Sequence, residues 1–150
     1  MAKLYPFVRV YSFDASPIAC ACARHNYIIN KLPNIQVYNV AIGIKDEINQ
    51  FTSNDKDISC LTKISLANDY SHKYETPTVN IGEIFDHKIL GIDRVKYLKM
   101  DIEGCEHEVL SHLMTERKDL IEKIDFFHIE IHDYPGAKEL NRKAREMLGE

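Results

Sequence analysis

Side chains that can bind nucleotides or move protons follow several apolar, β-prone segments of the sequence. They are Asp14, Asp101, Glu103, Glu130 and His132. An ionised carboxylate after a strand can accept hydrogen bonds from both hydroxyls of a ribose, and histidine can accept a proton near neutral pH. Aspartate is equally common as a turn residue before a helix, so this alternative stays open for Asp14.

The segment Asp101-Ile-Glu103-Gly104 is the most specific of these sites. Two acids flank the exit of a strand that we expect to be buried, and Gly104 permits a backbone conformation or a close approach that a side chain would block. Glu103 could instead favour the start of the following helix electrostatically, the role that we expect for Glu106 and Glu108.

A metal site is the alternative reading of the alternating residues His128, Glu130 and His132. Alternation places them on one face of a strand. The outer two lie roughly 13 Å apart at the backbone, too far for both imidazoles to reach one ion easily. We therefore expect His128 to pack inside the sheet layer, Glu130 and His132 to approach a crevice shared with Asp101, and no three-ligand metal site to form.

The residues before and after Asp14 predict a strand, a helix and a second strand. Residues 8–13 are β-branched and aromatic, Ser16 and Pro17 suit the first positions of a helix, and residues 35–40 are again β-prone. Such a succession with short connections is typical of a parallel α/β sheet. Ligands of these sheets bind beyond the carboxyl ends of the strands, which is where the acids lie.

The hydrophobic periodicity of the remaining sequence is weak up to residue 89 and clear after residue 95. The pattern predicts a hairpin from pieces at 48–51 and 58–64, a polar loop at 67–75, a short strand at 78–81 and a small helix at 84–89. It then predicts a strand at 95–100, a helix with apolar residues at 109–114, a strand at 126–131 and a charged helix at 137–148.

Composition limits the classes of function. The chain has 150 residues and a net charge of −4, with no basic patch, so we do not expect a nucleic-acid partner. Its apolar runs are too short to span a membrane and its start lacks a signal sequence, so we expect a cytoplasmic protein without a membrane partner. The four cysteines do not follow zinc-ligand spacing.

The chain resembles the FkbM-like family of S-adenosylmethionine-dependent methyltransferases from about residue 8 to residue 132. The resemblance is carried by Arg9 to Pro17, by Asn26 and Asn30, by Val40-Ala41, by Leu98-Lys-Met-Asp-Ile-Glu-Gly-Cys-Glu106 with Val109-Leu110, and by Ile129-Glu-Ile-His132. It implies an α/β fold with a Rossmann-like (class I) methyltransferase sheet and helices on both faces.

The resemblance also implies S-adenosylmethionine as the cofactor and a role for each matching residue. Asp14 would hold the ribose and Ala41 would lie near the adenine, while Asp101 and Glu103 would line the cleft by the methionine end. Glu130 and His132 would lie on the side of the acceptor, which is expected to be a small-molecule or glycan hydroxyl. His132 is the first candidate for the general base and Asp101 the second, since histidine has the suitable pKa.

One departure from the family pattern concerns the glycine-rich turn that carries the cofactor's amino-acid moiety. The six glycines, at 43, 82, 91, 104, 136 and 149, do not form such a turn. We therefore expect residues 1–150 to be one partial domain, a fragment whose sheet is incomplete at both ends. The alternative function is that of a catalytically inactive relative acting as a binding module.

Overall fold

The structure, a computed structural model, describes residues 2–54, 57–63, 72–86, 90–132 and 138–148. These residues form a mixed α/β fold, as predicted. Contacts divide the chain into two compact units: the first contains Met1–Ile42 and Ile48–Thr78, and the second contains Gly43–Glu47 and Val79–Glu150. A single domain over the whole chain stays a prediction.

The first unit contains the predicted strand–helix–strand succession. It consists of β1 (Val10–Phe13), α1 (Pro17–Ile29) and β2 (Ile35–Tyr38). The two strands are parallel and pair from Val10 with Ile35 to Phe13 with Tyr38. The prediction is confirmed, although both strands are two residues shorter than expected.

Helix α1 begins and ends with local signals. The Ser16 hydroxyl accepts a hydrogen bond from the amide of Ala19, and Pro17 occupies the first helical position. At the other end, the amide of Lys31 donates to the carbonyl of Ile28 and that of Leu32 donates to the carbonyl of Tyr27. This pair of bonds is a Schellman motif, in which Lys31 takes the left-handed position with a φ of 53°.

A four-stranded sheet follows in the order β3-β6-β4-β5. Its strands are β3 (Ala41–Gly43), β4 (Glu47–Asn54), β5 (Asp57–Lys63) and β6 (His72–Asn80). Strands β4 and β5 are antiparallel, which confirms the predicted hairpin. The predicted loop at 67–75 is wrong from residue 72 onward, where β6 begins, and its earlier part lies outside the described residues.

The second unit contains a parallel strand pair and most of the helices. Its elements after β6 are α2 (Ile81–Phe85), β7 (Leu98–Met100), α3 (Glu106–Thr115), α4 (Lys118–Ile121), β8 (Phe127–Ile129) and α5 (Lys138–Leu148). Strands β7 and β8 pair from Leu98 with Phe127 to Met100 with Ile129. Helix α2 starts three residues before its predicted position because the Asn80 side chain accepts a hydrogen bond from the amide of Gly82.

Apolar side chains of α2, β7, α3 and α4 form the core of the second unit. The buried residues include Ile81, Ile84, Phe85, Met100, Val109, Leu110, Leu113 and Leu120. At its edge, the Arg117 guanidinium donates two hydrogen bonds to Asp86 and lies against Gly82. This packing holds β7 and the start of α3, which carry the site described below.

The described strands form three small sheets: β1-β2, the four-stranded sheet and β7-β8. A complete Rossmann-like sheet, with helices on both faces, stays a prediction. Within the described parts of the chain, no helix combines the length and apolar character that crossing a membrane requires.

Candidate functional site

The predicted acids and His132 of the second unit converge where β7 and β8 end. Asp101 follows Met100, the last residue of β7, and Glu130 follows Ile129, the last residue of β8. His132 is two residues farther along and has its imidazole among carboxylates. The structure therefore brings together Asp101, Glu103, Glu130 and His132, as the sequence indicated.

The loop between β7 and α3 has an unusual backbone. Glu103 has a φ of 54° and Gly104 a φ of 100°. The prediction that Gly104 permits a special backbone conformation is thereby confirmed, since a φ of this size suits glycine. For Glu103 the same region is sterically unfavourable, so other contacts must hold the loop.

Glu106 supplies those contacts. Glu106 is the first residue of α3, and it is only 1% exposed. The atom Oε1 accepts a hydrogen bond from the amide of Ile102 at 2.8 Å, and Oε2 accepts one from the amide of Gly104 at 2.9 Å. A buried carboxylate is tolerated when such donors replace its water.

The same carboxylate also contacts His132. Atom Nδ1 of the imidazole lies 2.8 Å from Oε1 of Glu106. Because an ionised carboxylate only accepts hydrogen bonds, Nδ1 is the donor. The other ring nitrogen, Nε2, lies 3.8 Å from Oδ1 of Asp101 and 3.7 Å from Oε2 of Glu103.

These neighbours raise the pKa of His132 above its ordinary value. Partial burial is the largest single effect and acts to lower the pKa, because it penalises the charged imidazolium. The hydrogen bond to Glu106 and the negative charges of Glu106, Glu103 and Asp101 outweigh it together. The site therefore stabilises a proton on the imidazole.

Asp101 differs from the sequence prediction in its environment. It is exposed, although Met100, the last residue of β7, is buried as expected of the strand end. Its Oδ2 atom accepts a hydrogen bond from the Lys99 ammonium at 2.7 Å. The strand ends at this point, so the side chain reaches solvent instead of the layer beneath.

Three of these side chains could in principle hold a cation. Asp101, Glu130 and His132 each offer one ligand atom, and these atoms lie within 4.8 Å of one another. Carboxylates and imidazole are ordinary ligands of divalent ions, although exposed acids often lie this close without one. The expected absence of a metal stays a prediction.

His128 does not belong to this group. It is exposed, and its Nδ1 atom lies 2.7 Å from the hydroxyl oxygen of Tyr97. The prediction that His128 packs inside the sheet layer is therefore wrong. Residue 128 lies on the β7-β8 pair, whose outward face is open to solvent at Tyr97, His128 and Phe126.

Asp14 and Ala41 lie in the first unit. Asp14 is half-buried, and its Oδ1 atom accepts a hydrogen bond from the amide of Ser16 at 2.7 Å. This contact gives Asp14 the turn role that the sequence left open. Ala41 is half-buried and begins β3, an element that the sequence analysis did not predict.

Sequence reasoning missed two residues of the site. Glu106 was expected to act only on the helix dipole, yet its carboxylate ties the loop to His132. Lys99 was not considered, yet it pairs with Asp101. The signal for Glu106 was its position, an acid two residues after a glycine at the start of a helix.

Comparison with known protein families identifies a matching family model. Residues 8–150 match the family model described as the methyltransferase FkbM domain. Comparison with curated proteins gave no match, and neither did comparison with solved structures. The matched segment extends past residue 132, where the sequence resemblance was expected to end.

Proposed function

Because the chain belongs to the methyltransferase FkbM family, we propose that it transfers a methyl group from S-adenosylmethionine to a hydroxyl oxygen of a small-molecule or glycan acceptor. The observation that carries this proposal is the imidazole of His132, held by Glu106 and faced by two further carboxylates. This arrangement suits a group that must accept a proton while the acceptor oxygen is methylated.

The proposed step needs a proton acceptor. When bound, S-adenosylmethionine supplies a methyl carbon attached to a positively charged sulfonium. As the acceptor oxygen took up this methyl group and the neutral thioether left, the hydroxyl proton would pass to Nε2 of His132. Since Nδ1 already donates to Glu106, Nε2 is the nitrogen with a lone pair in the neutral imidazole.

Electrostatics support His132 more than Asp101 as the base. After the transfer, the proton on Nε2 faces oxygens of Asp101 and Glu103 at 3.8 and 3.7 Å. These charges stabilise the imidazolium that forms. Asp101 itself is exposed, and its carboxylate is already paired with the Lys99 ammonium at 2.7 Å.

The cofactor roles of the remaining residues rest on the family. Asp14 fits a ribose-binding carboxylate chemically, because it follows β1 and a carboxylate offers two acceptor oxygens. Ala41 is proposed to lie near the adenine. Asp101 and Glu103 are proposed near the methionine end, and Glu130 near the acceptor.

Methyl transfer can be tested with S-adenosylmethionine labelled at the methyl group and a panel of hydroxyl acceptors that includes glycans. We expect label on an acceptor oxygen, and we expect His132→Ala to lower turnover by roughly 10²- to 10⁴-fold, the usual contribution of a general base. His25→Gln, at an exposed position of α1, is the control.

Two further measurements divide the roles. Asp14→Ala should mainly weaken binding of S-adenosylmethionine in calorimetry, whereas His132→Ala should leave binding nearly unchanged. Turnover should be insensitive to EDTA. If EDTA abolished turnover and Mn²⁺ restored it, Asp101, Glu130 and His132 would be ion ligands and His132 would not be the base.

A further inference from the structure

We propose that Glu106 is a positioning residue, which holds the neutral imidazole of His132 in the tautomer with the proton on Nδ1. The same carboxylate also fixes the loop at residues 102–104. The inference rests on the proposed function in so far as His132 is taken as the base. Glu106 itself touches no reacting atom.

The first argument is the number of donors that one buried carboxylate serves. Glu106 accepts hydrogen bonds from the amides of Ile102 and Gly104 and from Nδ1 of His132, at 2.8, 2.9 and 2.8 Å. Two of these donors share Oε1. A helix-starting acid that acted only on the dipole would be exposed and would not need such partners.

The second argument is the separation of the partners along the chain. His132 lies 26 residues after Glu106, beyond β8, whereas the two amides belong to the loop before α3. The carboxylate therefore joins the ends of two strands. If it were removed, the loop that carries Asp101 and Glu103 and the imidazole would lose their common anchor.

The third argument concerns the proton of the neutral ring. Nδ1 is the ring nitrogen that lies against Oε1 of Glu106. It can donate a hydrogen bond to this carboxylate only when it carries the proton, so Glu106 favours this tautomer. It leaves Nε2 as the acceptor on the side of Asp101 and Glu103. In the opposite tautomer Nε2 would carry the proton and could not accept one, and catalysis would fail although every side chain was present.

The direct test is nitrogen NMR of histidine-labelled protein, because the two ring nitrogens have different shifts in each tautomer. At a pH above the His132 titration, we expect the wild-type ring to carry its proton on Nδ1. A ring with the proton on Nε2 would overturn the proposal without the use of any variant.

Glu106→Gln provides the second test, and Glu108→Gln, an exposed acid of the same helix, is its control. We expect Glu106→Gln to lower the pKa of His132, to increase the Nε2–H tautomer and to reduce turnover roughly 10- to 100-fold, as the loss of an outer-shell orienting group does elsewhere. The pH–rate profile should move with the pKa. Glu108→Gln should change none of these.

The outcomes separate the two proposals. Suppose that the wild type has the Nδ1–H tautomer, that Glu106→Gln reverses it, and that the chain methylates no acceptor. These results would support the positioning role and contradict the proposed function. Methyl transfer by the wild type with an unchanged tautomer and pH profile in Glu106→Gln would contradict the positioning role alone. If Glu106→Gln failed to fold, the wild-type tautomer would still decide.

Discussion

The backbone amide of Glu130 donates a hydrogen bond to the carbonyl of Met100 at 2.9 Å. This bond lies one step beyond the last residue pair of β7 and β8, Met100 with Ile129, and so ends both strands at the same level. Asp101 comes directly after Met100, and His132 two residues after Glu130. The acids and the imidazole therefore meet because of strand register.

Protonation of His132 should make folding stability depend on pH. Its pKa is raised in the folded protein, so its stabilising contribution is complete below the ordinary pKa of about 6.5 and is lost as the pH rises through the folded value. The free energy of unfolding of the wild type should exceed that of His132→Gln by more at about pH 6 than at about pH 9. Urea denaturation at both values measures this difference.

The matched control is His25→Gln, since His25 is exposed on α1. The free energy of unfolding of His25→Gln should differ from that of the wild type by the same amount at both pH values. An equally constant difference for His132→Gln would show that the carboxylates around the ring do not stabilise its charged form.

The two carboxylates that face Nε2 should contribute unequally to the pKa of His132. Both Glu103→Gln and Asp101→Asn should lower it, with the larger decrease for Glu103→Gln, because Lys99 partly compensates the charge of Asp101. NMR titration of His132 measures both. Glu122→Gln, an exposed acid of the second unit, is the control, and a larger effect of Asp101→Asn would contradict this order.

Lys31→Gly should stabilise the protein. Lys31 is exposed and occupies the left-handed position of the Schellman motif at the end of α1, with a φ of 53°. That conformation costs a residue with a Cβ roughly 1 kcal/mol, and glycine adopts it freely. We expect the free energy of unfolding to rise by about 0.5–1 kcal/mol, measured by urea denaturation.

Lys31→Ala is the control for this effect. It removes the charge and the long side chain of Lys31 but keeps the Cβ. It should therefore give no comparable gain, and an equal gain from both variants would attribute the effect to the lysine side chain instead of the backbone.

The effect of Gly82→Ala on the free energy of unfolding should depend strongly on whether Arg117 is present. A Cβ at residue 82 would lie only 2.2 Å from Nη1 of Arg117, so the guanidinium would have to leave its hydrogen bonds to Asp86. Such partly exposed ion pairs contribute up to about 1 kcal/mol. Alanine also favours a helix over glycine by a similar amount, so the two effects oppose each other in the wild-type background.

A double-mutant cycle separates these effects. Gly82→Ala should be more favourable by about 1 kcal/mol in the Arg117→Ala background than in the wild type. Thermal or urea denaturation of the four proteins measures the coupling. A coupling near zero would mean that Arg117 moves aside without losing stabilising contacts.

Local signals allowed the sequence to predict the elements that carry the site. The start of α1 depends on Ser16 and Pro17, and the strand at 126–131 and the helix near Val109 depend on short-range periodicity. Since the carboxyl ends of parallel strands share one edge, these elements were enough to group Asp101 with Glu130 and His132.

Other features depend on contacts between distant residues and could not be predicted in this way. Strand β6 turns Thr76 and Thr78 inward, where hydropathy gives no sign of burial, and Thr76 donates to the carbonyl of Ala15 from 61 residues away. The contact between Glu106 and His132 is of the same kind. A carboxylate at the start of a helix has an ordinary local explanation, and only the fold shows its second partner.

The loop at residues 102–104 has a consequence for anions in solution. Its inward-facing amides at Ile102 and Gly104 form the kind of concave backbone receptor that elsewhere captures phosphate or sulfate. In this chain the receptor is already filled by Glu106, an anion that is covalently attached and cannot diffuse away. Free phosphate and sulfate would have to displace this carboxylate in order to bind the loop. Buffer anions should therefore leave the amide resonances of the loop unchanged.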